Sequence, residues 1–149
     1  MLFVTFVVSP VFVSFASVVF FVVASIASPD MVLFMWMLAA GKLPSHITGI
    51  TLLAQIEAGT APAVLDVRSE REFADGHVPG ARHIPFWALP TRMSEISTSR
   101  AAPVVVYCGH GPRAYVAGAF LRASGFRRVM YLKGHFLKWR QAGLRQERK

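Results

Sequence analysis

Charge is divided unevenly along this chain of 149 residues, and that division limits what the chain can fold into. From Met1 to Gly41 the only charged residue is Asp30, and nearly every other residue is apolar, Ser or Pro. All 16 Lys and Arg residues, and every acidic residue except Asp30, lie from Lys42 onward. The pattern predicts three parts, which are an apolar segment over residues 1–41, a basic folded domain over residues 45–144 and a short basic tail over residues 145–149.

The apolar segment is long enough to cross a lipid bilayer, which takes about 20 residues of helix. Pro10 and Pro29 enclose the best-defined part of the span, about residues 11–27. A second apolar run, residues 31–40, is too short to span alone, because a helix of that length reaches only about 15 Å. It suits a segment lying at the membrane surface or one half of a helical hairpin. The sequence therefore predicts that an N-terminal transmembrane helix precedes the domain.

A cleaved signal peptide is the alternative for the same segment. Ser25-Ile26-Ala27 resembles a small-x-small cleavage site, and cleavage there would leave a mature chain beginning at Ser28. Signal peptides carry a positive charge before their apolar stretch, and this chain has none there, which favours an anchor. Because Lys and Arg are enriched on the cytoplasmic side of membrane spans, we expect a bacterial-type inner-membrane anchor with the domain behind Lys42 in the cytoplasm.

The basic character of the domain allows several explanations. Nucleic-acid-binding domains cluster Lys and Arg with exposed aromatic residues on one element, whereas here the basic residues are scattered and mostly Arg. We therefore expect no nucleic-acid partner. Contact with anionic lipid headgroups beside the anchor, attraction of anionic substrates, and a plain solvated surface all remain open.

Short strand and helix patterns alternate from Ile47 onward. The clearest strand is Pro103–Tyr107, which is β-branched and bounded by Pro and Cys-Gly. In the helix after it, Val116, Phe120 and Leu121 share one face. Strands alternating with helices predict an α/β fold, a small parallel sheet flanked by helices on both faces. The predicted strands are Ala63–Val67, His83–Ile84, Pro103–Tyr107 and Arg128–Leu132, and the predicted helical segments are Thr51–Ala58, Glu70–Ala74, Phe86–Ile96, Arg113–Ser124 and His135–Ala142.

The single cysteine, Cys108, lies between the clearest strand and a predicted helix. A lone cysteine cannot form an intrachain disulfide and leaves no cysteine cluster for zinc, so we expect no metal and no cofactor. Most isolated cysteines are small buried apolar residues. Here two glycines let backbone N–H groups converge before a helix that starts at Pro112, and such a point attracts anions and favours the nucleophilic thiolate. The predicted site is Cys108 with the loop residues Gly109, His110, Gly111, Pro112, Arg113 and Ala114.

Three sequence blocks in order carry a family resemblance over residues 47–144. They are Leu65-Asp66-Val67-Arg68 with Glu72-Phe73, Gly76-His77-Val78-Pro79-Gly80-Ala81 and Ile84-Pro85; Val105-Val106-Tyr107-Cys108 with Gly111 and Arg113; and Tyr131-Leu132-Lys133-Gly134 with Trp139 and Ala142-Gly143-Leu144. Together they resemble the rhodanese-like domain. One departure is His135, which stands where many members have a second Gly after Gly134.

The resemblance implies sulfur transfer through Cys108. The cysteine would take a sulfane sulfur from a small anionic donor such as thiosulfate, hold it as a persulfide, and pass it to a thiol or cyanide acceptor. Backbone amides of residues 109–114 would stabilise the negative persulfide. Arg113 suits either binding of the donor's anionic group or bracing of the loop against Glu72, and bracing is favoured. The supporting residues expected around the site are Asp66, Arg68 and Glu72.

For four other residues near the motifs, a structural role has to be weighed against a catalytic one. We expect Asp66 to accept hydrogen bonds from backbone amides rather than to catalyse. His77 is expected to be a turn residue satisfied by hydrogen bonds, and Trp139 to pack in the core. For His110, which lies inside the loop, an active-site role and a plain loop role are equally open.

Two other functions fit the same fold. Phosphatases and arsenate reductases of this fold have five residues between Cys and Arg, which make room for a tetrahedral oxyanion. Here four residues separate Cys108 from Arg113, which favours sulfur. The other function is a non-catalytic, membrane-tethered binding module, but such modules usually lack the cysteine, and Cys108 is present.

Overall fold

Five parallel strands form a single sheet in the computed structural model, which describes residues 44–149. The strand order in the sheet is β1-β5-β4-β2-β3. The membrane span expected within residues 11–27 and the second apolar run at 31–40 lie outside the described residues. Among residues 44–149, no helix has the length and apolar character needed to cross a membrane. The strands are β1 (Ser45–Ile47), β2 (Ala63–Asp66), β3 (Arg82–His83), β4 (Pro103–Tyr107) and β5 (Arg128–Leu132).

Four α-helices alternate with these strands in residues 44–149, and local sequence signals start three of them. Thr48 caps the first helix by accepting a hydrogen bond from the Thr51 N–H. Ser69 and Glu72 form a reciprocal capping box at the second. Pro112 occupies the first turn of the third, where its missing N–H costs nothing. The helices are α1 (Gly49–Glu57), α2 (Glu70–Asp75), α3 (Pro112–Ala123) and α4 (His135–Gln141).

The sheet is buried on both faces, which confirms the predicted α/β fold. In the central strand β4, Val104 and Val106 pack with residues of α3, including Leu121, in one core cluster. Val105 and Tyr107 of the same strand pack on the other face in a second cluster, to which α1 and α4 contribute. A strand covered on both faces has no solvent side, and this accounts for its unbroken apolar sequence. Trp139 of α4 is buried in the second cluster, as expected.

The segment between β3 and β4 differs from its prediction. Phe86–Ile96 is expected to be a loose helix, but the structure forms successive turns there with a single 3₁₀ turn at Met93–Glu95. Pro90 supplies no N–H and disfavours a helical conformation at the residue before it. That residue, Leu89, is fully buried, so the segment is held by core packing of its turns.

The buried face of α3 also differs from its prediction. The residues expected to share the apolar face include Phe120, which is 43% exposed. Small residues face the sheet instead, among them Ala117 and Gly118. A methyl group at Gly118 would overlap the Tyr131 hydroxyl, so α3 can approach β5 at this position only because the residue has no side chain.

The basic tail at residues 145–149 packs against the domain. Backbone hydrogen bonds join His77 and Glu147 in both directions, at 2.9 and 3.0 Å. The Gly80 N–H donates to the Glu147 carboxylate at 2.9 Å, and the Trp139 indole N–H donates to the Arg145 carbonyl at 3.0 Å. The tail therefore lies in a defined position beside the segment that follows α2.

Candidate active site

The loop after β4 carries the cysteine at the carboxyl edge of the sheet. Cys108 is 1% exposed, and its Sγ accepts a hydrogen bond from the Gly111 N–H at 3.0 Å. Gly111 has φ 137°, in a region that side-chain-bearing residues rarely adopt, so glycine is needed to aim this amide. The amide lies immediately before α3, where the helix dipole also favours negative charge. The Gly111 N–H and the N-terminus of α3 thus lie at the Cys108 sulfur.

The other predicted loop residues have different surroundings. Pro112 begins α3 and has no N–H to offer. Ala114 is buried in the core, and its N–H donates to the Gly111 carbonyl at 2.9 Å instead of to the sulfur. His110 is exposed at the surface of the loop. In the described structure, the Gly111 amide is thus the loop donor that contacts the thiol.

Arg113 braces the loop against α2. Its guanidinium donates two hydrogen bonds to the Glu72 carboxylate, at 2.6 and 2.8 Å. The Ser69 N–H and hydroxyl also donate to Glu72. The pKa of Glu72 is lowered to about 2, chiefly by the Arg113 hydrogen bonds and then by those from Ser69. Gly109 packs against this ion pair, which leaves little room there for a side chain. The pair therefore ties the end of the loop at Arg113 to α2.

Asp66 and Arg68 form a second ion pair beneath the site, at the end of β2. Asp66 is fully buried and Arg68 is 3% exposed. The carboxylate accepts the Arg68 backbone N–H at 2.9 Å and three hydrogen bonds from its guanidinium at 2.6–3.0 Å. Arg68 also donates to the Gly76 carbonyl at 2.7 Å and lies 3.9 Å from the centre of the Phe136 ring. The pair thus joins β2, the turn after α2 and the start of α4, and Asp66 accepts a backbone amide as expected.

His77 has the surroundings of a turn residue. One of its ring nitrogens, Nδ1, lies 2.9 Å from the Phe73 carbonyl oxygen. The ring stacks on Phe73 with centroids 3.7 Å apart. His77 is buried by these contacts and by the tail, which is consistent with the expected structural role.

The turn between β5 and α4 holds the loop from the other side. The Phe136 N–H donates to the Cys108 carbonyl at 3.0 Å, and the Leu137 N–H donates to the Gly109 carbonyl at 3.2 Å. These two donors belong to the first turn of α4, whose amides have no partner within the helix. Sequence reasoning did not find them, because backbone donors that reach across the fold leave no residue-type signal.

His135 is a further residue of this turn that sequence reasoning marked only as a departure. Its φ of 53° is left-handed, so the turn keeps a glycine-like conformation despite the side chain. The ring is buried and packs closely on Gly111, since a Cβ at that glycine would lie 3.3 Å from the His135 Nε2. The pKa of His135 is lowered to about 4, mainly by burial and further by His46 and His110, so the ring is neutral at neutral pH. His135 therefore supports the glycine whose amide contacts the thiol.

A cavity of about 680 Å³ opens beside the loop. Gly109 and His110 contribute part of its wall, next to the nucleophile. Within residues 44–149, no group of three His, Cys, Asp or Glu side chains is placed to hold a metal ion. The other lining residues are Arg68, Glu72, Ala74, Asp75, Gly76, Phe136, Leu137, Arg140, Gln146, Arg148 and Lys149.

Comparisons with known proteins identify the family of the domain. The family model of the rhodanese-like domain matches residues 50–142. A sulfurtransferase of Allochromatium vinosum is 41% identical over 93 residues, covering 62% of this chain and 85% of the relative. The thiosulfate sulfurtransferase GlpE of Stutzerimonas stutzeri is 35% identical over 77 residues, covering 52% of this chain and 69% of the relative. The solution structure of the rhodanese-like domain of the Anabaena protein Alr3790 is 29% identical with a TM-score of 0.63, covering 72% of this chain and 81% of that one. The chain belongs to the rhodanese-like family of sulfurtransferase domains.

Proposed function

We propose that this protein transfers a sulfane sulfur from a donor such as thiosulfate to a thiol or cyanide, through a persulfide on Cys108. The observation that carries the proposal is the Gly111 N–H, which donates to Cys108 Sγ at 3.0 Å directly before a helix N-terminus. Cys108 is the single cysteine of the sequence, so the sulfur has one thiol to occupy.

The first half of the reaction loads the sulfur. The Cys108 thiolate attacks the outer sulfur of thiosulfate, and a new sulfur–sulfur bond forms. The bond between the two sulfur atoms of the donor breaks, and sulfite leaves with the electron pair. The negative charge then lies on the outer sulfur of the persulfide. Donors fixed in the folded loop, such as the Gly111 amide, stabilise such charge without reorganising.

The second half discharges the sulfur. A thiolate or cyanide attacks the outer sulfur, the bond between that atom and Cys108 Sγ breaks, and Cys108 leaves as a thiolate. With cyanide the product is thiocyanate. Arg113 acts here by holding the loop through Glu72, since both of its paired hydrogen bonds go to that carboxylate.

Loop length supports sulfur chemistry over phosphate chemistry. Only Gly109, His110, Gly111 and Pro112 separate the cysteine from Arg113. In addition, Pro112 has no N–H and the Ala114 N–H donates to the Gly111 carbonyl, so these two positions offer no amide to a phosphoryl oxygen.

Mass spectrometry of the intact protein after thiosulfate treatment tests the proposal. We expect the mass to increase by one sulfur atom, and the adduct to disappear on addition of cyanide with formation of one thiocyanate per protein. An aryl phosphate assayed in parallel should be hydrolysed only at the background rate. Absence of the sulfur adduct would favour the non-catalytic binding module. Phosphate release that depends on Cys108 would favour the phosphatase instead.

We propose in addition that residues 1–41 anchor the domain in a bacterial-type inner membrane, with the domain in the cytoplasm. The support is the distribution of charge, because every Lys and Arg lies on one side of the apolar segment. Alkaline phosphatase fused after Lys149, an enzyme active only outside the cytoplasm, should be inactive, while a fluorescent protein fused there should be bright in the membrane fraction. An active phosphatase fusion, or a mature chain beginning at Ser28, would contradict this orientation.

A further inference from the structure

The cavity beside the loop, here named the tail cavity, has a basic wall that the sulfur chemistry described above does not use. Arg140 comes from α4, and Arg148 and Lys149 come from the tail. Gly109 and His110, the two residues that follow the nucleophile, also line it. A molecule in this cavity would therefore contact the basic tail and the nucleophile loop together.

The charged side chains that line the tail cavity are mainly basic. Arg68 is compensated by Asp66, and Glu72 is compensated by Arg113. Among residues 44–149, none of the three basic residues Arg140, Arg148 and Lys149 has an acidic group within salt-bridge distance. Asp75 is the remaining acidic side chain in the lining. Three basic side chains and one acidic side chain line this part of the cavity, and such a surplus of basic side chains attracts an anionic ligand.

The tail is held in place, so the positions of these charges are defined. The paired backbone hydrogen bonds between His77 and Glu147 fix its centre, and the Lys149 N–H reaches the Ala74 carbonyl at 3.4 Å. The Glu147 carboxylate accepts the Gly80 N–H and lies 3.8 Å from His77 Nε2. The Glu147 carboxylate therefore contacts Gly80 and His77, and it forms no salt bridge with Arg140, Arg148 or Lys149.

The size of the tail cavity indicates which substrate it takes. Thiosulfate and cyanide are ions of a few atoms, whereas a volume of about 680 Å³ lies within the range of sites for much larger organic ligands, about 300–1,000 Å³. We infer that the tail cavity binds the sulfur acceptor, and that this acceptor is an organic thiol bearing carboxylates that contact Arg140 and Arg148. The inference rests on the proposed sulfur transfer and adds the chemical class of the acceptor.

Transfer of the outer sulfur to such an acceptor breaks one sulfur–sulfur bond and forms another. The persulfide first takes up one proton from solvent. The acceptor thiolate then attacks its outer sulfur, and the bond from that sulfur to Cys108 Sγ breaks. Cys108 leaves as a thiolate, and the proton stays on the transferred sulfur. The products are the acceptor persulfide and the original Cys108 thiolate, so no oxidant or reductant is consumed.

Single-turnover discharge of the full chain tests the inference. Cys108 is loaded with thiosulfate, the excess is removed, and the discharge rate is followed against the concentration of glutathione, a tripeptide thiol with two carboxylates, or of its diethyl ester. We expect Arg140→Gln and Arg148→Gln each to raise the half-saturating glutathione concentration about fivefold, the upper end of what an ion pair with an exposed side chain contributes. With the ester, the variants should match the wild type.

Arg127→Gln is the matched control. It removes the same charge from an exposed residue directly before β5, at the opposite end of the sheet from the loop. It should leave the half-saturating glutathione concentration unchanged. Thiosulfate loading is measured separately for every variant, so that donor and acceptor binding are distinguished.

Each outcome is decisive for one proposal. If no persulfide forms on the wild type, the proposed sulfur transfer is wrong. If the persulfide forms and discharges to cyanide, but Arg140→Gln and Arg148→Gln behave like Arg127→Gln, the sulfur transfer stands and the acceptor site is wrong. If the two variants slow thiosulfate loading and not discharge to glutathione, the cavity serves the donor, and the acceptor assignment is overturned.

Discussion

Replacement of Cys108 by Ser should abolish thiosulfate-dependent sulfur transfer, with a loss of at least about a thousandfold in turnover. A serine hydroxyl is almost wholly protonated at neutral pH and cannot form a persulfide, and no other thiol exists in the sequence. The fold should persist, because a hydroxyl at this buried position can still accept the Gly111 N–H that now donates to the sulfur.

Thiocyanate formation from thiosulfate and cyanide measures this effect. Thermal unfolding of the wild type and of Cys108→Ser, followed by circular dichroism, is the control that separates lost chemistry from lost structure. Similar unfolding midpoints together with the loss of turnover are expected. A folded Cys108→Ser protein that retains turnover near the wild-type level would contradict the persulfide mechanism.

Asp66→Ala should lower the free energy of unfolding by about 3–5 kcal/mol, the cost of leaving one partner of a buried ion pair unpaired. The variant leaves the Arg68 guanidinium, 3% exposed, with the Gly76 carbonyl as its remaining hydrogen-bond acceptor. It also removes the acceptor of the Arg68 backbone N–H at the end of β2. Because this ion pair links β2 to the start of α4, we expect the loss of stability to appear in the whole domain.

Urea unfolding measures this loss of stability, and Glu95→Ala is the matched control for Asp66→Ala. Glu95 forms an ion pair with Arg92 whose side chains are 40% and 42% exposed, and such pairs contribute less than about 1 kcal/mol. The double variant Asp66→Leu with Arg68→Met should recover much of the lost stability, because no buried charge remains. If Asp66→Ala lowered the free energy of unfolding no more than Glu95→Ala does, the buried ion pair would not be a major source of the stability of the fold.

The sequence was sufficient where local chemistry decides structure. The β-branched run bounded by Pro103 and Cys108 predicted β4 with the bounds that the structure has, and the bounds of β5 also agree. The start of α3 lies at Pro112, because proline suits a first helical position. These signals reside in neighbouring residues, so the strand, the loop with its cysteine and the following helix could all be predicted together.

Tertiary contacts decided the features that the sequence pattern missed. β1 is three residues long, too short for a periodic signal, and it exists because it pairs with β5 at the edge of the sheet. The turns between Phe86 and Ile96 follow from Pro90 and from burial of Leu89. The buried face of α3 is set by how closely Gly118 approaches Tyr131 on another element.

Some features of the candidate site could likewise be predicted from the sequence, and others depend on tertiary contacts. The sequence by itself predicted Cys108 and its loop, because residue types at fixed spacing carry that chemistry. For Arg113 it favoured a brace against Glu72 over donor binding, and the structure shows that ion pair. Only the tertiary structure placed His135 behind Gly111 and folded Arg148 back to the wall of a cavity beside the loop. The physical reason is that burial, close approach and the pairing of charges depend on residues far apart in the chain, and such contacts exist only once the sheet and its helices have packed together.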